Sequence, residues 1–144
     1  MNEQQANEQQ VDLEELDRAW QREAFQAAQK HLAEKGIMPH SVFDKESRFL
    51  APLCAVWKFK AQDGKKYWVI TGRLPADAIE VSGAANARDA LRAFSLRWQL
   101  KAEQIIQTGI TDQTQADYVN LLVNRAQGLY EVYEKDHLWA NEPV

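Results

Sequence analysis

The apolar positions divide the chain into a long helical stripe, a pair of strands and two further helices. Leu13, Leu16, Trp20, Ala24, Ala27, Ala28 and His31 recur at three- and four-residue steps, with Phe25 and Leu32 widening the stripe. That spacing predicts an amphipathic helix from Asp12 to Gly36. Asp12 and Glu15 are spaced as a capping box, and Gly36 with Pro39 behind it closes the helix. His31 is read as a packed, hydrogen-bonded core residue rather than a ligand, since nothing near it completes a metal set. Residues 1–10 are rich in Gln, Asn and Glu and are expected to form a disordered tail. A single compact domain is expected over 11–139, with residues 140–144 frayed. Between 37 and 50 only Ser41–Phe49 has helix-like spacing, which predicts a short helical turn.

From Leu53 to Leu74 the period changes to that of a strand, interrupted by Asp63-Gly64. A two-residue turn at that dipeptide predicts a β-hairpin whose opposed residues have numbers summing to 127. Phe59 then faces Trp68, Trp57 faces Ile70, Ala55 faces Gly72 and Leu53 faces Leu74. These make one apolar side, expected to pack on Leu91, Phe94 and Trp98. The other side carries Cys54 with Arg73, Lys58 with Val69 and Lys60 with Tyr67. Ala78–Val81 reads as a short third extended piece.

Asn86 and Asp89 start the next helix, which runs from about Ala87 to Gln107 and is stopped by Gly109. Leu91, Phe94, Trp98, Ala102 and Ile105 form one stripe, and Ala93, Leu96 and Leu100 fall roughly opposite. A last helix begins after Asp112 and carries Val119, Leu122, Ala126, Leu129 and Tyr133. The short connection predicts an antiparallel pair. The fold class is therefore α+β: one β-hairpin, with a short third strand as an addition, against about three helices in the order α-β-β-α-α. The surplus apolar side of the third element predicts a homodimer through Leu96 and Leu100 or through ribbon edges, unless the last helix covers them.

Composition sharpens this picture in three places. Across 144 residues, 45% hydrophobic and 26% charged, the balance is that of an ordinary globular domain. The single cysteine, Cys54, excludes an internal disulfide, and the polar N-terminus lacks the pattern of a secretion signal; both predict cytoplasmic residence, with no membrane association. The net charge of −4 hides a basic middle, in which residues 48–101 hold ten Lys/Arg against four Asp/Glu. Acidic segments on either side predict that much of this is balanced internally, and they argue against duplex nucleic acid as a partner.

The candidate chemistry is sparse. The sequence has no Cys-x-x-Cys, no His-x-x-x-His, no phosphate loop and no nucleophile elbow, so no catalytic residue, metal site or cofactor is assigned. Cys54 beside Arg73 could be activated by the guanidinium, against the simpler reading of a small strand residue. The one constellation with a chemical sense is basic: Lys58, Lys60, Lys66, Tyr67 and Arg73 on a ribbon face, with Arg88 and Arg92 one turn apart on the helix that follows. Cations around an aromatic can hold a phosphate, a carboxylate or an acidic protein segment.

The stretches HLAEKGIMP, KESRFLAPLCAVWKFK, YWVITGRLPADAI and ARDALRAFSLRWQLKAEQI resemble, in the same order, a family of small proteobacterial proteins grouped as domain of unknown function 4826. The resemblance implies a compact stand-alone bacterial protein and assigns no reaction or ligand. It also implies that Arg73, where the family commonly has an acidic residue, is particular to this chain. The functional expectation is a non-catalytic binding module for an anionic protein segment or small anionic ligand. A hydrolase- or transferase-type enzyme assembled only in three dimensions, or a structural homodimer, is the alternative.

Overall fold

A computed structural model describes the backbone of residues 3–50 and 52–140, and side chains from Glu15 onward within that range. The expected tail over 1–10 and frayed end over 140–144 fall, except for Ala140, outside the described side chains. In order along the chain are helix α1 (Glu3–Glu34), strands β1 (Pro39–Val42), β2 (Arg48–Leu50), β3 (Cys54–Ala61), β4 (Lys66–Gly72) and β5 (Asp77–Glu80), and helices α2 (Ala87–Thr108) and α3 (Gln113–Glu134). Short 3-10 turns follow β5 and α3. The class α+β holds, but the expected order with a single hairpin does not: five strands form one antiparallel sheet.

The connection 37–50 holds the first correction. In place of a helical turn it supplies β1 and β2, which lie end to end along one edge of β3. The break between them is closed by Ser47, whose hydroxyl donates to Phe43 O (2.9 Å) and accepts from Lys58 N (3.0 Å). These strands are short and partly exposed, so they carry no apolar period to read.

The hairpin exists, with its register one residue away from expectation. Phe59 faces Tyr67, Trp57 faces Val69 and Cys54 faces Gly72. The loop has three residues rather than two: Gly64 N donates to Ala61 O, and Gly64 takes φ 91°. A turn over Gln62-Asp63 followed by a left-handed glycine absorbs one extra residue. The slip moves Trp68 to the opposite face from Trp57. Gly72, at φ 135°, lies where an added Cβ would meet Leu53 O at 2.5 Å, so the strand neighbour rather than a helix requires glycine there.

Both faces of the sheet are consequently buried. Ala55, Trp57, Phe59, Tyr67 and Val69 pack against Ala24, Ala28 and Leu32 of α1. Cys54, Val56, Trp68 and Ile70 pack against Leu91, Phe94 and Trp98 of α2, with Leu122, Ala126 and Leu129 of α3 behind. The expected apolar side is thus split: Trp68 and Ile70, with Leu53 and Leu74, join the cluster on the α2 side, while Ala55, Trp57 and Phe59 turn to α1. A strand covered on both sides loses its polar alternation, and CAVWKFKA is apolar at six of its eight positions, broken by Lys58 and Lys60 near the hairpin end.

The helix ends obey local chemistry. Asn86 Oδ1 accepts from Asp89 N and Asp112 Oδ1 accepts from Gln115 N, and Gly109 closes α2. The start of α1 is the exception, since the helix runs through Asp12 to begin at Glu3. The buried indoles are partnered: Trp57 donates to Thr71 Oγ1, Trp68 to Ala84 O, Trp98 to Asp77 Oδ2 and Trp139 to Val132 O.

Candidate functional site

The predicted basic surface does not assemble. Lys58, Lys60 and Lys66 share the sheet face that α2 covers further along, at the hairpin end, but Tyr67 turns to the α1 face and is buried beside Phe59. Lys58 is 13% exposed, pairs with Glu46 at 2.9 Å and lies over the rings of Phe43 and Trp68. Arg73 sits at the other end of the strand near Trp20 and Glu23. Arg88 bonds Tyr133 O and Asp136 and stacks on Tyr133, which fastens the turn after α3. Arg92 is exposed on α2 apart from these. Lys58 and Arg88 are thus balanced within the chain, by Glu46 and Asp136 of the flanking segments. The activated-thiol reading of Cys54 fails for a physical reason: the residue is fully buried opposite Gly72, and burial pushes its pKa up to about 12.

A different set of cations converges elsewhere. A cleft of about 420 Å³ opens where the end of α1, the β4–β5 connection, α2 and α3 meet. Trp98, Leu100 and Leu122 give it an apolar floor, and Lys35, Arg97 and Lys101 give it charge. Asp77, the one carboxylate among its described lining residues, is already engaged. Asp77 Oδ2 accepts from Arg97 Nε at 2.9 Å and from Trp98 Nε1 at 3.0 Å, while Oδ1 accepts from Ala78 N at 2.8 Å. Among the described residues Lys35 and Lys101 lie in no ion pair, and Lys101 is instead held over the Tyr118 ring.

His31 completes the wall. It stands in the last turn of α1, four residues before Lys35, and its Nε2 is buried without a hydrogen-bond partner. Burial first, and Lys35 second, hold its pKa below the ordinary 6.5, against the smaller opposing pull of Asp77 and Glu34. The neutral imidazole is therefore favoured near pH 7. The expected hydrogen-bonded core histidine is corrected in this respect, because the ring is half-buried and one nitrogen is unpaired.

Sequence reasoning passed over this set for an identifiable reason. Arg97, Lys101 and Gln104 each precede by one residue a member of the α2 apolar stripe, Trp98, Ala102 and Ile105. That offset places them together beside the buried face, but only the α1 end and the β4–β5 connection, remote in sequence, turn the row into a cleft. Leu96 (45% exposed) and Leu100 (60% exposed) remain uncovered by α3. No three His, Cys, Asp or Glu side chains gather as a metal-ligand set among the described residues. No helix among them is long and apolar enough to cross a membrane.

A family model, described as a domain of unknown function (DUF4826), matches residues 14–139. The chain belongs to the DUF4826 family. The matched span runs from within α1 to the turn that carries Trp139, so it takes in the whole sheet, both later helices and all the residues of the cleft. No curated protein and no solved structure matches the chain.

Proposed function

We propose that this DUF4826 protein is a non-catalytic binding module whose ligand presents a carboxylate or phosphate to the cleft between α1, α2 and α3. The observation that carries this reading is the charge balance of the cleft wall. Three cations face one carboxylate, and that carboxylate already accepts three hydrogen bonds. Two exposed ammonium groups thus border a half-open, partly apolar cleft without a counter-charge in it, so an incoming carboxylate or phosphate meets cations that have no competing partner. A volume of about 420 Å³ suits a small ligand or one terminal group, and not a folded acidic surface. The anionic partner expected from the sequence is kept, and its site moves from the ribbon to the cleft.

The enzyme alternative would give His31 the part of a base. Among the described residues no Ser, Thr or Cys side chain lines the cleft for it to activate, which favours the module. The test is a titration with acetate, citrate, inorganic phosphate and glycerol phosphate, followed by melting temperature and by the fluorescence of Trp98 on the cleft floor. At least one anion should saturate, weaken with added salt and fail to bind Lys101→Glu. If none shifts either signal at tens of millimolar, the reading is wrong.

A further inference from the structure

The cleft does not end at Leu100. A second, shallower groove of about 650 Å³ shares Lys35, Arg97 and Leu100 with it and runs on along β5. β5 pairs only with β4, so its outer edge terminates the described sheet. The N–H of Ala78 is bonded to the neighbouring Asp77 side chain, which directs it away from β4. By the two-residue period of a strand, the N–H of Glu80 points outward as well. With the Ala78 N–H already taken by Asp77, Glu80 supplies the outward donor of this edge, which lies at the bottom of a groove with an apolar wall on each side. Ile37 and Tyr67 belong to the α1 side, and Ala93, Leu96 and Leu100 belong to α2.

Resting on the anion-binding reading above, we infer that the ligand is an extended peptide with a free C-terminus, added as an antiparallel strand to β5 with its terminal carboxylate in the cationic cleft. Three features agree on this occupant. Successive side chains of an added strand point to opposite faces, and each would meet one of the two walls. Antiparallel addition brings the peptide's last residue to the Asp77 end of β5, which is the end that opens on Lys35, Arg97 and Lys101. The charge required there is a single carboxylate, matching a cleft whose own carboxylate is already held by Arg97. Main-chain bonds to the edge supply affinity, and the charged end sets the register.

The experiment uses the full chain, immobilised, and N-acetylated random hexapeptide libraries made as free acids and as C-terminal amides. Members retained from the acid library are resynthesised with a fluorescein label and titrated. The free acids should bind at least tenfold more tightly than their amides, about what one charge-assisted contact contributes. Lys101→Glu should remove that preference. Glu80→Pro deletes one outward N–H at a position whose φ of −67° proline accepts, and it should weaken peptides about tenfold with acetate or phosphate binding unchanged. If that variant melts early, Leu96→Glu, on the exposed groove wall and outside the anion cleft, is the second probe, with the same expectation. Equal retention of acids and amides overturns the inference, as does acid-selective binding indifferent to both groove variants. Small anions binding where no peptide does would end the inference and leave the anion-binding reading standing; binding of neither would end both. Concentration-dependent doubling of mass that buries Leu96 and Leu100 would assign the groove to a second copy and overturn it too.

Discussion

Two places in this molecule gather cations, and they use them in opposite ways. At the hairpin end Lys58 is drawn between Phe43 and Trp68 and neutralised by Glu46, so its charge is consumed in holding the β1–β2 edge to β3. In the cleft Lys35 and Lys101 border a half-open space whose one carboxylate among the described residues answers to Arg97, Trp98 and Ala78. The residue types are the same. What separates structure from binding is which acceptors the fold has already supplied.

The sharpest way to break this contrast is Lys58→Glu. It sets a carboxylate beside Glu46 in a mostly buried position and should cost about 3 kcal/mol of stability, read from urea denaturation, with anion affinity untouched. A loss under about 0.5 kcal/mol would show Lys58 to be as solvated as its neighbours. The mirror experiment is Lys101→Glu, which should weaken anion binding at least tenfold, about 1.4 kcal/mol, and leave the denaturation midpoint nearly unmoved. A large fall in midpoint would make that lysine structural and erase the contrast.

His31 provides a smaller effect with a definite sign. Its folded-state pKa lies below the unfolded 6.5, so its contribution to stability is present above pH 6.5 and is lost as pH falls below that value. Anion affinity should move the other way over the same range, because a protonated imidazole adds a cation to the cleft wall. His31→Asn should flatten both trends, measured by midpoint and by phosphate titration. An unchanged slope would place the titration elsewhere. Smallest of all is Lys60→Glu with Lys66→Glu: both side chains are exposed, so stability should stay within about 0.5 kcal/mol and anion binding should be indifferent. A loss of binding here would restore the ribbon as the site.

Legibility in the sequence followed how local each cause was. Asn86, Asp112 and Gly109 act within a turn of their own positions, and α2 was readable almost to the residue, as was the start of α3. The hairpin's place was readable, yet its register turned on whether Asp63-Gly64 made a two- or three-residue loop. One residue there exchanged the faces of Trp57 and Trp68. β1 and β2 were opaque because edge strands of three and four partly exposed residues owe their form to β3. The cleft was not legible at all. Its side chains come from α1, the β4–β5 connection, α2 and α3, and no one segment holds more than a single cationic row.

The hydroxyl of Thr71 accepts from Trp57 Nε1 at 3.0 Å and donates to Ala24 O, in mid-helix, at 2.8 Å. A bond to a single carbonyl of α1 does more than join helix to sheet, because it fixes the helix against rolling about its own axis. His31 follows Ala24 by seven residues, about 20° short of two full turns. The imidazole therefore inherits its bearing from a bond two turns away, and a core threonine acts as the index mark that aims it at the cleft.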